Sequence, residues 1–309
     1  GAAAAGARSS AEEASTMNAI RRDFANKMYR PVDSFVLAPL ALDPLSAALA
    51  KQVGFEAIYL GGGALGYARA VSEALLTASE VTEAARAIIE RVEIAVVADI
   101  SNGFGDAVHT ARTIRMLEQV GVVAVEVEDQ VAPKRAHHHK GIEHLVSTDE
   151  MVGKIKAAAD ARWDHHFIII ARCNAIRHEG LDAALERAAR YAEAGADMLM
   201  MLPRTPEEFM AVTTRTTLPL AGMAIGPLRP AAELMAAGYP LVVEPMSATV
   251  LVHQALKRGY ESLRDSGSIG MSAEQIRTIV AEAGATMQIE KLYEIEARTT
   301  ERESYATQP

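Results

Sequence analysis

Short, nearly continuous apolar runs alternate with amphipathic stretches along almost the whole chain. The runs Ser34–Ala38, Ala57–Leu60, Ala95–Asp99, Ala124–Glu128, Phe167–Ala171, Met198–Met201, Leu220–Met223 and Leu241–Val243 predict strands buried on both faces. Between them the apolar period lengthens to that of a helix, in stretches such as Pro44–Val53, Ala78–Arg91, Ala107–Val120, Thr148–Arg162, Asp182–Ala194 and Pro230–Ala237. Gly54, Gly121, Gly195 and Gly238 each follow such a stretch, where a helix C-terminus favours glycine. This alternation predicts an α/β protein, a closed (β/α)8 TIM barrel. A doubly wound open sheet is the competing fold. Its phosphate loop should follow the first strand, and Ala38-Pro39-Leu40-Ala41-Leu42-Asp43 holds no glycine. Beyond the eighth run, Ser247–Asp265, Ser272–Ala283 and Thr286–Arg298 predict extra C-terminal helices.

Composition narrows the function classes. The chain has 309 residues, half of them hydrophobic, which suits one large domain. No apolar run is long enough to span a membrane as a helix. A net charge of −9 argues against a nucleic-acid partner. Cys173 is the only cysteine, so no intramolecular disulfide forms, and a reducing cytoplasm is the simplest setting. Residues 1–16 are rich in Ala, Gly and Ser, carry no core pattern, and lack the apolar stretch of a signal peptide. They read as a flexible tail, with residues 17–309 forming one barrel domain whose helical extension starts near 247.

In a barrel the C-terminal strand ends carry the chemistry. They lead here to Asp43, Gly61-Gly62-Gly63, Asp99, Glu128-Asp129, Arg172, Leu202-Pro203-Arg204, Gly222-Met223 and Glu244. Hard carboxylate oxygens at Asp99 and Glu128 suit Mg²⁺, and Arg172 suits a substrate carboxylate. Salt-bridged rim groups would give the same spacing. The three glycines could present N–H groups to an anion or form a tight turn. After Glu128 the chain enters a polar loop with Lys134, Arg135, His137, His138 and His139. Three adjacent imidazoles rarely face one ion, so a single functional histidine on a solvent-facing loop is the favoured reading. His165 and His166 precede a strand on the opposite face and read as structural.

Several of these segments also resemble the isocitrate lyase and phosphoenolpyruvate mutase superfamily. Asp43-Pro44-Leu45-Ser46-Ala47 with Gly54-Phe55-Glu56-Ala57-Ile58-Tyr59-Leu60 is similar to its first βαβ unit. Ala98-Asp99-Ile100-Ser101-Asn102-Gly103-Phe104-Gly105 resembles its metal motif, D-x-D/E-x-G-[FY]-G. Glu128-Asp129-Gln130 with Pro133-Lys134-Arg135 resembles the lyase loop E-D-Q-x-x-x-K-[RK]-C-G-H. Ile170-Ala171-Arg172-Cys173-Asn174-Ala175 resembles A-R-T-D-A. The resemblance runs from about Phe24 to Arg298.

The resemblance implies a Mg²⁺-dependent (or Mn²⁺-dependent) barrel that cleaves a C–C bond, or decarboxylates, beside a carboxylate through a metal-stabilised enolate. The substrate would be a small 2-oxo or 2-hydroxy carboxylate. Asp99 and Glu128 would hold the metal. Tyr59, Gly61, Gly62, Gly63, Asp43 and Arg172 would bind substrate, and Lys134, Arg135, His137 and His138 would be catalytic. The superfamily also implies a homotetramer with a C-terminal helix exchanged between subunits. Departures are as informative. Ala136 stands where the loop cysteine would, His137 where the following glycine would, and Ser101 where the second acid of the metal motif would. The family aspartate after strand two falls near Ser72 or Glu73. Its strand-six glutamate falls on Leu202, its strand-seven asparagine on Gly222, and the aspartate of A-R-T-D-A on Asn174. A methyl group moves no proton, so the expected enzyme is a divergent lyase. A C–P mutase or hydrolase and a non-catalytic carboxylate binder are the alternatives.

Overall fold

Eight parallel strands build the sheet: β1 (Val36–Pro39), β2 (Ala57–Leu60), β3 (Ala95–Asp99), β4 (Ala124–Glu128), β5 (Ile168–Cys173), β6 (Met198–Met201), β7 (Leu220–Met223) and β8 (Leu241–Glu244). Their order is β1-β8-β7-β6-β5-β4-β3-β2. A parallel bridge between Leu40 and Tyr59, with Ala41 N–H donating to Tyr59 O at 3.0 Å, joins the two ends and closes the barrel. This is the predicted (β/α)8 fold. The computed structural model describes residues 10–29, 35–226 and 229–301.

The helices are α1 (Ser10–Met28), α2 (Pro44–Gln52), α3 (Gly62–Ala68), α4 (Ala78–Ile89), α5 (Ala107–Val120), α6 (Thr148–Ala161), α7 (Ala175–Glu179), α8 (Leu181–Glu193), α9 (Pro206–Arg215), α10 (Ala231–Ala236), α11 (Ser247–Ser266), α12 (Ala273–Thr286) and α13 (Ile289–Arg298). Their starts follow local chemistry. Asp43 caps α2, Thr77 and Glu80 form a capping box on α4, and Asp106, Ser147 and Thr205 cap α5, α6 and α9. None of these helices is long and apolar enough to cross a membrane.

The period-2 alternation of the strands sorts the core into two layers. Ile58, Val96, Val125, Ile169, Leu199 and Val242 face outward and pack under the helices. Ala38, Tyr59, Val97, Ala124, Ile170, Met200, Ala221 and Val243 face inward. The same alternation, carried to the C-terminal strand ends, points Asp99, Glu126, Glu128 and Arg172 inward. The barrel interior therefore turns from apolar to charged within one or two residues.

Three sequence expectations change. Ser10–Thr16 belong to α1, not to a flexible tail, while residues 1–9 and Ser34 lie outside the described residues. Ala and Glu favour helix there, and Phe24, Ala25 and Met28 anchor the helix by joining the inner core. β5 runs on to Cys173, which brings Arg172 into the sheet. Gly62 and Gly63 begin a helix rather than forming only a tight turn.

Contacts group the chain into two compact units, 1–249 and 250–309. The second holds most of α11, with α12 and α13. These helices bury no side chain and expose Leu256, Tyr260, Ile276, Ile279, Leu292 and Ile295.

Candidate active site

The polar mouth is assembled from the ends of β2 to β5. Asp99 closes β3 and is buried. Its Oδ2 accepts the Gly62 N–H at 3.1 Å, and its Oδ1 accepts the Ser101 N–H at 2.7 Å. The second bond requires Ser101 to sit in the left-handed region, with φ 52°. That conformation is costly for serine and is held by the surrounding turn. Gly62 allows a close approach, because a Cβ there would lie 3.1 Å from Asp99 Oδ2, a tight contact.

β4 supplies two inward carboxylates, and both are almost fully buried. Glu126 is the register partner of Asp99 across β3–β4, and Glu128 is that of Arg172 across β4–β5. Glu126 Oε1 accepts Arg172 Nη1 at 2.8 Å, and its Oε2 accepts the Tyr59 hydroxyl at 3.0 Å. Glu128 Oε2 accepts Gln130 Nε2 at 2.9 Å and Asn174 Nδ2 at 3.1 Å. Arg172 Nε donates to Asn174 Oδ1 at 3.0 Å.

Lys134, from the loop after β4, reaches into this mouth. Its ammonium lies 2.6 Å from Glu128 Oε1 and pairs with Glu73 Oε1. Glu73 sits on the 3₁₀ turn after α3, and its Oε2 lies 3.2 Å from His138 Nε2. The other ring nitrogen of His138 is 2.8 Å from Arg135 O. His139 Nε2 is 2.9 Å from Ser72 Oγ. The three histidines occupy one 3₁₀ turn, Ala136–Lys140, on which His137 is exposed, as is Arg135 just before it.

Electrostatics follow from this packing. Burial, then the charges of Glu126 and Glu73, push the Asp99 carboxyl up to about 8. Burial also acts to raise Glu73, but His138 and Lys134 outweigh it and hold the group at about 2. Glu128 is likewise held below the usual carboxylate range by Lys134 and Arg172 against the effect of burial. Burial disfavours the Lys134 charge, yet Glu128 and Glu73 raise its pKa. The bond to Glu73 raises His138.

The predicted residues do not all converge. Asp99, Glu128, Arg172, Lys134, His138, Gly62 and Gly63 line one mouth. Tyr59 lies beneath it, 1% exposed, bonded to Glu126. Gly61 packs against the Tyr59 ring, where a Cβ would meet Cε1 at 2.9 Å. Asp43 uses its carboxylate to cap α2, accepting Ser46 N–H at 2.8 Å. Gly222 corrects an expectation. A Cβ there would meet Leu234 and Tyr239 at 2.9 Å, so its position faces the helices. An asparagine at 222 could not enter the mouth, and the inward positions of β7 are Ala221 and Met223.

Two residues escaped the sequence reading. Glu126 was legible in principle, because Val125-Glu126-Val127-Glu128 puts two glutamates on one strand face. The family aspartate is expected near Ser72 or Glu73, and of the two it is Glu73 that contacts Lys134 and His138. The carboxylate missing at Ser101 is thus offset by another at Glu126, on the adjacent strand.

Comparison with known proteins agrees with this fold. A sequence model of the phosphoenolpyruvate phosphomutase family matches residues 26–264. The chain is similar to 2,3-dimethylmalate lyase of Eubacterium barkeri, 37% identical over 274 residues, covering 84% of this chain and 92% of that protein. It is also similar to 2-methylisocitrate lyase of Vibrio cholerae serotype O1, 35% identical over 250 residues, covering 77% and 81%. A crystal structure of phosphonopyruvate hydrolase with oxalate and Mg²⁺ superimposes with TM-score 0.78 at 29% identity, over 92% of this chain and 99% of that one. A crystal structure of 2,3-dimethylmalate lyase gives 0.79 at 25% identity, over 92% and 95%.

Proposed function

This chain belongs to the phosphoenolpyruvate mutase/isocitrate lyase superfamily, and from that premise we propose that it is a divalent-metal-dependent carbon–carbon lyase of a 2-hydroxy or 2-oxo dicarboxylate. One observation carries the reading. Four largely buried carboxylates, Glu73, Asp99, Glu126 and Glu128, face two buried cations, Lys134 and Arg172. With all four carboxylates ionised the mouth carries one negative charge more than Lys134, Arg172 and a protonated His138 supply, and burial, then Glu126 and Glu73, raises the Asp99 carboxyl. Buried charge demands a partner. A hard divalent ion on Asp99, with Glu126 and Glu128 beside it, fits the oxygen donors, and Mg²⁺ is the natural choice with Mn²⁺ as substitute. When bound, such an ion supplies Lewis-acid polarisation of a substrate oxygen.

The charge count also favours a substrate class. Arg172 has already committed Nη1 to Glu126 and Nε to Asn174, so part of its donor set and its charge are engaged before a ligand arrives. Lys134 is shared by two glutamates. Little cationic capacity remains for a third carboxylate. A dicarboxylate of the dimethylmalate type therefore suits the mouth better than a tricarboxylate of the methylisocitrate type.

His138 is the proposed proton carrier. Its ring is fixed on one side by the Arg135 carbonyl and on the other by Glu73, and it can return a proton to the carbon released when the C–C bond opens. Ala136 cannot do this, and His137 points to solvent. Lys134 holds the loop over Glu128, and the loop histidine follows from that anchoring. Exposed apolar side chains on α11–α13 support a homotetramer built through these helices, and the metabolic class supports a cytoplasmic setting.

Because the matching family also breaks C–P bonds, phosphonopyruvate is the second substrate to try. The deciding assay follows Mg²⁺-dependent product formation from 2,3-dimethylmalate, 2-methylisocitrate, oxaloacetate and phosphonopyruvate. Turnover of a dicarboxylate that EDTA abolishes supports the lyase. Turnover of phosphonopyruvate alone replaces it with C–P chemistry, and no turnover of any of them, with anion binding intact, replaces it with a binding protein.

A further inference from the structure

The turn between α6 and β5, at the end of the barrel opposite the polar mouth, gathers three donors from consecutive residues. Asp164, His165 and His166 each place a ligand-type atom within 4.8 Å of the other two, and this is the one such group of three among the described residues. His166 Nδ1 lies 2.9 Å and His165 Nδ1 4.0 Å from the same oxygen, Asp164 Oδ1. In a tetrahedral site with bonds of about 2.0–2.1 Å, neighbouring ligand atoms stand about 3.3 Å apart. The observed separations bracket that value, so small side-chain rotations suffice.

Consecutive side chains usually diverge. Here the two imidazoles lie against each other instead, with centroids 3.9 Å apart and planes tilted by 38°. The backbone beneath them is firmly held. Glu118 accepts the N–H groups of Trp163 and Asp164 at 2.8 and 2.7 Å, and Phe167 N–H donates to Asp164 O at 2.9 Å. Arg21 of α1 donates to Asp164 Oδ2 at 3.4 Å, and Oδ1, which also accepts the His166 N–H at 2.9 Å, faces the histidine rings. The group borders an open cleft of about 610 Å³, with room for a water as fourth ligand.

We propose that Asp164, His165 and His166 form a second cation site, selective for a borderline transition ion of the zinc class rather than for Mg²⁺. Two imidazole nitrogens and one carboxylate oxygen are the donors such ions prefer. The site is separate from the barrel mouth and independent of the reading given for it.

Trp163, the only tryptophan in the chain, is adjacent and two-thirds exposed, which supplies a local probe. The experiment titrates metal-stripped full-length protein, in saturating Mg²⁺, with Zn²⁺ by calorimetry and with Cu²⁺ or Ni²⁺ by tryptophan quenching. One site of micromolar or tighter affinity is expected, with at least half of the fluorescence quenched. The double variant His165→Ala/His166→Ala should lose 100-fold or more in affinity and most of the quenching. Asp99→Asn should keep both, which separates this site from the barrel mouth. Equal Zn²⁺ affinity and quenching in the double histidine variant would overturn the proposal, as would no binding below millimolar concentration in the unaltered protein.

Discussion

Asp99 and Glu126 stand opposite one another as register partners on β3 and β4, two buried carboxylates with one guanidinium between Glu126 and β5. Like charges so placed repel unless a cation intervenes. Asp99→Asn should therefore weaken Mg²⁺ binding by 100-fold or more, roughly 3 kcal/mol, and abolish lyase turnover while leaving the fold intact. Calorimetry with Mg²⁺ alone checks the first part. Unchanged Mg²⁺ affinity would remove the carboxylate mouth from consideration as the metal site.

Glu126 tests the charge count. Glu126→Gln keeps acceptors and donors for Arg172 and Tyr59 while removing one negative charge. At a separation of several ångströms and an effective dielectric near 20, that charge is worth about 1–3 kcal/mol. Binding of an unreactive tricarboxylate should improve about tenfold relative to a dicarboxylate, measured by calorimetry at constant Mg²⁺. Glu126→Ala instead leaves Arg172 buried without its nearest partner and should cost about 3–5 kcal/mol of folding stability in denaturant titration.

His138 and His137 separate catalytic from bystander imidazoles. His138→Ala should lower kcat by about 10²-fold or more, the usual worth of a positioned general acid or base. His137→Ala, altering an exposed side chain, should leave kcat within about twofold. Equal effects of the two substitutions would contradict the proton-carrier assignment.

The Glu73–His138 contact makes the anchoring of the Ala136–Lys140 turn depend on pH. Glu73 is depressed from 4.5 to about 2, so its contribution is present above 4.5 and fades as pH falls toward 2. His138 is raised above 6.5, so its contribution is full below 6.5 and fades as pH rises through the raised value. Protection of Ala136–Lys140 against hydrogen exchange or proteolysis, corrected for intrinsic rates, should peak between about 4.5 and 6.5. His138→Gln should flatten the high-pH limb, and an unchanged profile would exclude this contact as the loop's anchor.

The C-terminal helices give an assembly test. Leu292→Asp with Ile295→Asp alters two exposed apolar side chains of α13, so the barrel itself has little reason to unfold. Light scattering coupled to size exclusion should show the proposed tetramer falling to smaller species. A tetramer that survives both substitutions would place the assembly surface elsewhere.

Sequence alone determined the barrel, because an apolar run buried on both faces is written directly into residue order, and eight of them separated by helical periods admit few folds. It also placed Asp99, Glu128 and Arg172 at strand ends, since strand position fixes height in a barrel. Tertiary structure decided what those groups face. Glu126 could be placed on the inner face by counting, but its bonds to Tyr59 and Arg172 join residues 67 and 46 positions away. Lys134 and Glu73 meet across 61 positions, which no local pattern encodes. Asp43 illustrates the converse. A strand-end carboxylate suggested substrate binding, and the neighbouring Ser46 claimed it as a helix cap. Local chemistry decides where elements begin and which way side chains point, whereas the charge balance of the mouth exists only after four strand ends have converged and excluded water.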